Sequence, residues 1–291
     1  LLAGAGVLAA GSPYAGGVEV CRFQDPRITE SSGLASSSRS GDYFFTLNDS
    51  GNPAEVYAVD RSGRTLARVR VTGAANLDWE DLARGTDEEG RPALFIADTG
   101  DNTAKRASIF LYRIPEPEID PARPGQTVDS PPAVKYELEY PDGAHDAEAL
   151  LVQPRTNKTW IITKSLRGSE VYVVPPPMRA DAPNRLQKIG SINWALLPAT
   201  TKRLRDQFSR LLATGGSISP DGSRFVVRTY TDAYEWETPD GSVQHALTRQ
   251  PVQVPLPATE QGEAITYTAD GQALLTSSEG RSAPVHELRR R

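Results

Sequence analysis

The chain has 291 residues, a formal net charge of −5 and a pI near 5.4, enough length for one sizeable all-β domain or two ordinary ones. No Lys/Arg-rich stripe breaks this mildly acidic balance, so nucleic acid is not expected as a main partner. The single cysteine, Cys21, excludes an internal disulfide framework and a multi-cysteine zinc site, and reads as a small buried residue on a strand.

Residues 1–13, an apolar run ending in small residues and Pro13, read as the remnant of a secretory signal peptide without its basic start. The run is too short to cross a bilayer of roughly 30 Å. A secreted protein with no membrane span in the mature chain is expected, with residues 18–291 forming one domain.

From there a pattern recurs: a small or acidic residue, one further residue, then Leu or Ile opening a strand. Its copies are Ser32-Gly33-Leu34, Glu80-Asp81-Leu82, Glu148-Ala149-Leu150, Gly216-Ser217-Ile218 and Glu263-Ala264-Ile265. Each is followed by a polar turn and a second strand, at Tyr43–Leu47, Ala93–Ala97, Thr159–Thr163, Arg224–Arg228 and Ala273–Ser277. Third strands are predicted at Glu55–Asp60, Ile109–Ile114, Glu170–Val174, Ala233–Trp236 and Val285–Leu288. Outer strands are predicted at Thr65–Val71, Ala133–Tyr140, Leu186–Asn193 and Pro251–Leu256.

Four-stranded antiparallel units of this size are the blades of a β-propeller. The last unit has room for three strands, and Val18–Gln24 can supply the fourth, closing the ring with the N-terminal strand and leaving no open edge. The expectation is an all-β, five-bladed propeller. The intervals from Glu80 to Glu148 and from Glu148 to Gly216 leave room for a sixth blade, but no sixth copy of the pattern occurs. Ile119–Pro132 reads as a long outer loop. In Thr200–Leu212, the helical spacing of Leu204, Phe208, Leu211 and Leu212 predicts a short amphipathic helix covering the core.

In such a ring, the starts of the first strands and the ends of the second converge on one face. The starts supply Ser32, Glu80, Glu148, Gly216 with Ser217, and Glu263, with Asp78, Asp81, His145 and Asp146 beside them. The ends supply Asn48-Asp49, Asp98 to Asn102, Lys164-Ser165, Arg228 to Tyr230 and Ser278-Glu279. Carboxylates crowded at one channel repel each other, and a bound cation relieves them. Ser32, Glu80, Glu148, Ser217 and Glu263 offer only oxygens, which suits calcium and not zinc or copper. The alternative is that the same side chains cap strand ends and tie neighbouring blades through backbone hydrogen bonds.

Asp98-Thr-Gly-Asp101-Asn102 reads either as a cation-binding loop or as a tight turn. Lys164, Arg228 and Arg106 bring positive charge to the rim, where they would grip a phosphate or form ordinary salt bridges. Candidate ligand-binding residues are therefore Asp49, Asp98, Asp101, Lys164 and Arg228. Candidate catalytic residues are Asp98, Lys164, Arg228 and His145, the last either a general base beside Asp146 or a turn residue. No G-x-S-x-G, H-E-x-x-H or P-loop occurs. Trp79, Trp160, Trp194 and Trp236 read as blade packing.

Taken in order, Ser-Gly-Leu, Glu-x-Leu, Glu-x-Leu, a small-residue blade and Glu-x-Ile resemble the SdiA-regulated propellers and the calcium-dependent apyrase propellers. The runs Leu47 to Asn52, Asp78 to Ala83, Asp98 to Asn102 and Ser219 to Tyr230 resemble secreted actinobacterial propellers, some grouped with the esterase-like phytase family. The resemblance spans about residues 18–291. It implies a central calcium on Ser32, Glu80, Glu148 and Glu263, with Gly216 standing where a hydroxyl is expected. The long nucleotide loops of the apyrases have no clear counterpart here.

Three functions follow as expectations. The first is a secreted calcium-binding propeller with a ligand-binding face, acting as a monomer on a small-molecule or phosphorylated ligand. The second is a calcium-dependent phosphoric-ester hydrolase, nucleotidase- or phytase-like. The third is a metal-free protein-interaction platform.

Overall fold

In the computed structural model, which describes residues 12–199 and 206–291, five small sheets stand around a channel. Their innermost strands are Ser31–Ser36, Trp79–Thr86, Ala147–Val152, Ala213–Ile218 and Gly262–Tyr267. Each abuts the next, and the last returns to the first, so the ring closes at five blades. The second, third and outer strands follow antiparallel in every blade, close to the predicted bounds. Val18–Arg22 pairs antiparallel with Pro284–Arg289 and completes blade 5, as the short final unit requires.

The strands are apolar on both faces because each blade is packed between two others. In blade 2, Leu82, Leu94, Ile96, Tyr112 and Ile114 face blade 1. Ala83, Phe95, Ala97, Ile109 and Leu111, out of phase by one residue, face blade 3. The buried apolar side chains form five clusters, one for each blade–blade interface, rather than one central core. The four tryptophans are all buried in these interfaces, and Cys21 is buried between blades 5 and 1.

Two local expectations change. The segment Ile119–Pro132 is not all loop, because Gln126–Asp129 adds a fifth strand parallel to Thr65–Arg70. Arg70 and Asp129 pair across that edge at 2.6 Å, a side-chain match that Pro and Asp content conceals. Asn184–Arg185 likewise adds a short parallel strand to blade 2. In the inserted segment only Asp206–Ser209 is described as helix, and Leu204 lies outside the described residues. Phe208 is exposed rather than covering the core, whereas Leu211 packs against the interface of blades 3 and 4. Residues 1–11 of the signal-like run also lie outside the described residues.

Candidate functional site: a carboxylate-rich channel mouth

Every inner strand opens with a break in register against its neighbour: between Ser31 and Gly33, Trp79 and Asp81, Ala147 and Ala149, Ala213 and Gly215, and Gly262 and Ile265. Such bulges insert an unpaired residue and re-aim its side chain. The residues so placed are Ser32, Glu80, Glu148, Thr214 and Glu263. Four match the recurring position found in the sequence. In blade 4 the position belongs to Thr214, two residues before the Gly216 at which the pattern aligned. Ser217 lies further along the strand, its hydroxyl 3.3 Å from that of Thr266 in blade 5. A slip of two residues preserves strand alternation, so the apolar mark Ile218 masked the true register.

The two hydroxyl members tie blades together. Ser32 donates to the Trp79 carbonyl at 3.2 Å, and Thr214 to the Gly262 carbonyl at 3.0 Å. The three glutamates are held in the mouth with little solvent, each 4% exposed. Glu80 accepts no hydrogen bond and forms no ion pair among the described residues. Around it the strand starts and ends do converge. Asp49, Asp78 and Glu80 bring carboxylate oxygens within 4.8 Å of one another, and so do Glu80, Asp146 and Glu148. Asp78 and Asp146, noted beside the ring in the sequence, thus belong to it. The Lys164 ammonium contacts Glu148 and donates to the Tyr230 hydroxyl at 2.8 Å.

The local electrostatics follow from crowding in a buried site. Burial, then the charges of Glu148, Asp49, Asp78 and Asp146, push Glu80 well above the usual carboxylate range. Burial pushes Glu148 up to about 8 against the pull of Lys164. Glu263 is raised by burial and by Glu148 and Glu279, and burial also raises Asp49 and Asp146. Lys164 loses hydration, but Glu148 and Tyr230 outweigh that loss and hold it charged.

Other expected residues bond mainly within the protein. Arg228 is 2% exposed and donates to the carbonyls of Thr229, Ala264 and Ser277 and to the Thr276 hydroxyl, and it feels the charge of Glu263. Its donors reach acceptors of blades 4 and 5. Burial lowers its pKa to about 10. Asp98 pairs with Arg106 at 2.9 Å, and Asp101 accepts from the Arg106 N–H at 2.6 Å, so both organise the turn. The Asp101 N–H in turn holds Asp146 at 2.8 Å. His145 sits with Asp142, Tyr140 and Tyr172, apart from the glutamates.

Two features go beyond the sequence, which placed Asp81 only beside the ring. Asp81 takes the position that other blades give to Gly33, Ala149, Gly215 and Ala264. Its carboxylate accepts from Leu82 N–H at 2.8 Å, Leu150 N–H at 2.9 Å and Gly216 N–H at 3.1 Å, stitching blades 2, 3 and 4 across the channel. Gly100 is the second, since a Cβ there would collide with Glu80 Oε1 and stand 2.5 Å from the Asp78 carboxyl. A cavity of about 600 Å³ between blades 1 and 5, lined by Ser36, Asp42, Arg61, Thr268, Glu287 and Arg289, contains none of the ring residues.

Fold and site together define a five-bladed β-propeller with a carboxylate-rich channel mouth. Among solved structures the chain is similar to a luciferin-regenerating enzyme, at 10% identity and TM-score 0.46 over 92% of each chain. It is also similar to the Cps50 (Swd1) β-propeller domain of Myceliophteria thermophila, at 12% identity and TM-score 0.41 over 88% of this chain and 83% of that one. Hydrazine synthase of Kuenenia stuttgartiensis matches at 10% identity and TM-score 0.40 over 84% of this chain, which spans 60% of that one. No protein-family model matches the chain, and no curated protein matches its sequence. Of the resemblance to SdiA-regulated, apyrase and phytase-family propellers, the β-propeller fold is what the structure bears out.

Proposed function

We propose that the protein binds a divalent cation at the mouth of its central channel and presents a ligand-binding face around it. The observation that carries this reading is Glu80, a carboxylate 4% exposed and without a donor, set among Asp49, Asp78, Asp146 and Glu148. Buried polar groups are satisfied in the great majority of cases, and a buried charge needs a partner. All five side chains offer oxygen, with no His or Cys in either group, so calcium is the proposed ion. The apolar N-terminal run supports export, where calcium is plentiful. A small molecule with an anionic group is the proposed ligand, bound by the cation beside Lys164.

Calcium at a hundredfold excess over its dissociation constant should stabilise the fold by about 2.7 kcal/mol, a rise of roughly 5–10 °C in melting temperature that chelation reverses. Glu80→Gln should weaken calcium binding by about tenfold or more while raising the melting temperature of the metal-free protein, since it removes a buried carboxyl that must either take up a proton or stand charged without a partner. A melting temperature indifferent to both calcium and chelator would rule the reading out.

A further inference from the structure

The proposed site resolves into two overlapping sets. Ligands bonded to one calcium at about 2.3–2.6 Å lie no more than about 5 Å apart. Asp49, Asp78 and Glu80 meet that limit as one group, and Glu80, Asp146 and Glu148 meet it as another. The five do not form a single group at this limit, and Glu80 is the member common to both. Its side chain is nine-tenths buried, forms no hydrogen bond or ion pair among the described residues, and carries two oxygens. Gly100 lets it sit this close to Asp78, because any side chain at 100 would occupy the same space.

The two sets differ in one respect. The first forms no ion pair among the described residues, and Lys164 acts on it only as a charge near Asp49. In the second, the Lys164 ammonium already rests on Glu148, with the Tyr230 hydroxyl 2.8 Å away and the Tyr230 ring centre at 5.0 Å. An ammonium so placed occupies the space a metal would need and neutralises one of its ligands. The tyrosine offers it an oxygen and an aromatic face to retain once it leaves Glu148.

Resting on the reading above, we infer that the mouth holds two divalent cations bridged by Glu80 and filled in order. The Asp49–Asp78–Glu80 position fills first. The Glu80–Asp146–Glu148 position fills only when the metal displaces Lys164 from Glu148. The arrangement gives the face a second, lower-affinity occupancy step governed by a lysine of the same chain. An anionic ligand that draws Lys164 toward itself would favour that step.

Isothermal titration of the full chain with calcium chloride at neutral pH tests this. Expected is a two-step isotherm with two ions per chain, the tighter step lost in Asp49→Asn and the weaker step lost in Asp146→Asn. Lys164→Met should tighten the weaker step by about tenfold and leave the tighter one within twofold. Circular dichroism confirms folding of each variant, which relief of like-charge repulsion favours. One ion per chain, with the same single step weakened by both Asn variants, would overturn the two-cation inference and leave the single-cation reading standing. Two steps with Lys164→Met unchanged would overturn the displacement. No binding to any form would remove both this inference and the reading beneath it.

Discussion

A methyl group at position 100 would strike Glu80 Oε1 and crowd the Asp78 carboxyl at 2.5 Å, so glycine lets the second-strand turn of blade 2 pass the ring without displacing either carboxylate. Gly100→Ala should therefore displace both carboxylates and weaken calcium binding by about tenfold or more, with little change in the far-ultraviolet circular dichroism. Calorimetric titration reads the first, and an unchanged affinity would show that the two carboxylates do not act together. The same crowding sets the pH response. Glu148 is raised from 4.5 to about 8, and Glu80 and Glu263 are also raised, chiefly by burial. A carboxyl whose pKa is higher in the folded chain retains its proton on folding, so the folded state binds more protons between the two values. Its contribution is full below the usual carboxylate range and is lost as pH rises toward about 8. In chelator, the melting temperature should fall across that window. Calcium, which competes with those protons, should flatten the fall and bind more tightly as pH rises.

At the scale of the element, the N-terminal strand carries more than its five residues suggest. Val18–Arg22 covers the open edge of Pro284–Arg289, and Cys21 and Phe23 fill the interface between blades 5 and 1. Just before it, the Tyr14 hydroxyl donates to Glu235 at 2.5 Å, beside the Tyr267 hydroxyl at 2.7 Å and Arg290 at 2.5 Å, tying the entering chain to blades 4 and 5. A chain starting at Phe23 should melt roughly 10 °C or more lower and scatter light on warming, because the bared strand edge offers unpaired backbone groups. Equal melting temperature and solubility would show that the closure is dispensable. The inner-strand bulges belong to the same scale. Hydroxyl members Ser32 and Thr214 turn their bulges into blade-to-blade ties, while acidic members Glu80, Glu148 and Glu263 turn theirs into the ring.

Over the whole molecule, Asp81 is the one carboxylate among the described residues that reaches three blades through backbone hydrogen bonds. Both of its oxygens accept from N–H groups, so Asp81→Asn would set an NH₂ against a donor in either orientation. A loss of about 2 to 4 kcal/mol is expected, read as a shift in urea midpoint. A shift near zero would mean that blades 2, 3 and 4 are held by side-chain packing alone.

The sequence by itself carried the expectation of five blades with room for a sixth, the inner, second and third strands, and the closure by a strand within Val18–Gln24. Each rests on local alternation, turn residues and the shortfall of strands after Glu263, which are properties of neighbouring residues. It also located Ser32, Glu80, Glu148 and Glu263, because a recurring residue type marks a recurring backbone position. Only the tertiary structure decided that Thr214, and not Gly216 with its neighbour Ser217, is the fourth blade's member, since the two-residue slip from 214 to 216 leaves alternation intact. Only it decided that Asp78 and Asp146 close on Glu80, that Arg228 donates to backbone carbonyls, and that Gly100 clears the space. Those outcomes depend on distances between blades, and chain-local pattern carries no record of which side chains meet across the channel.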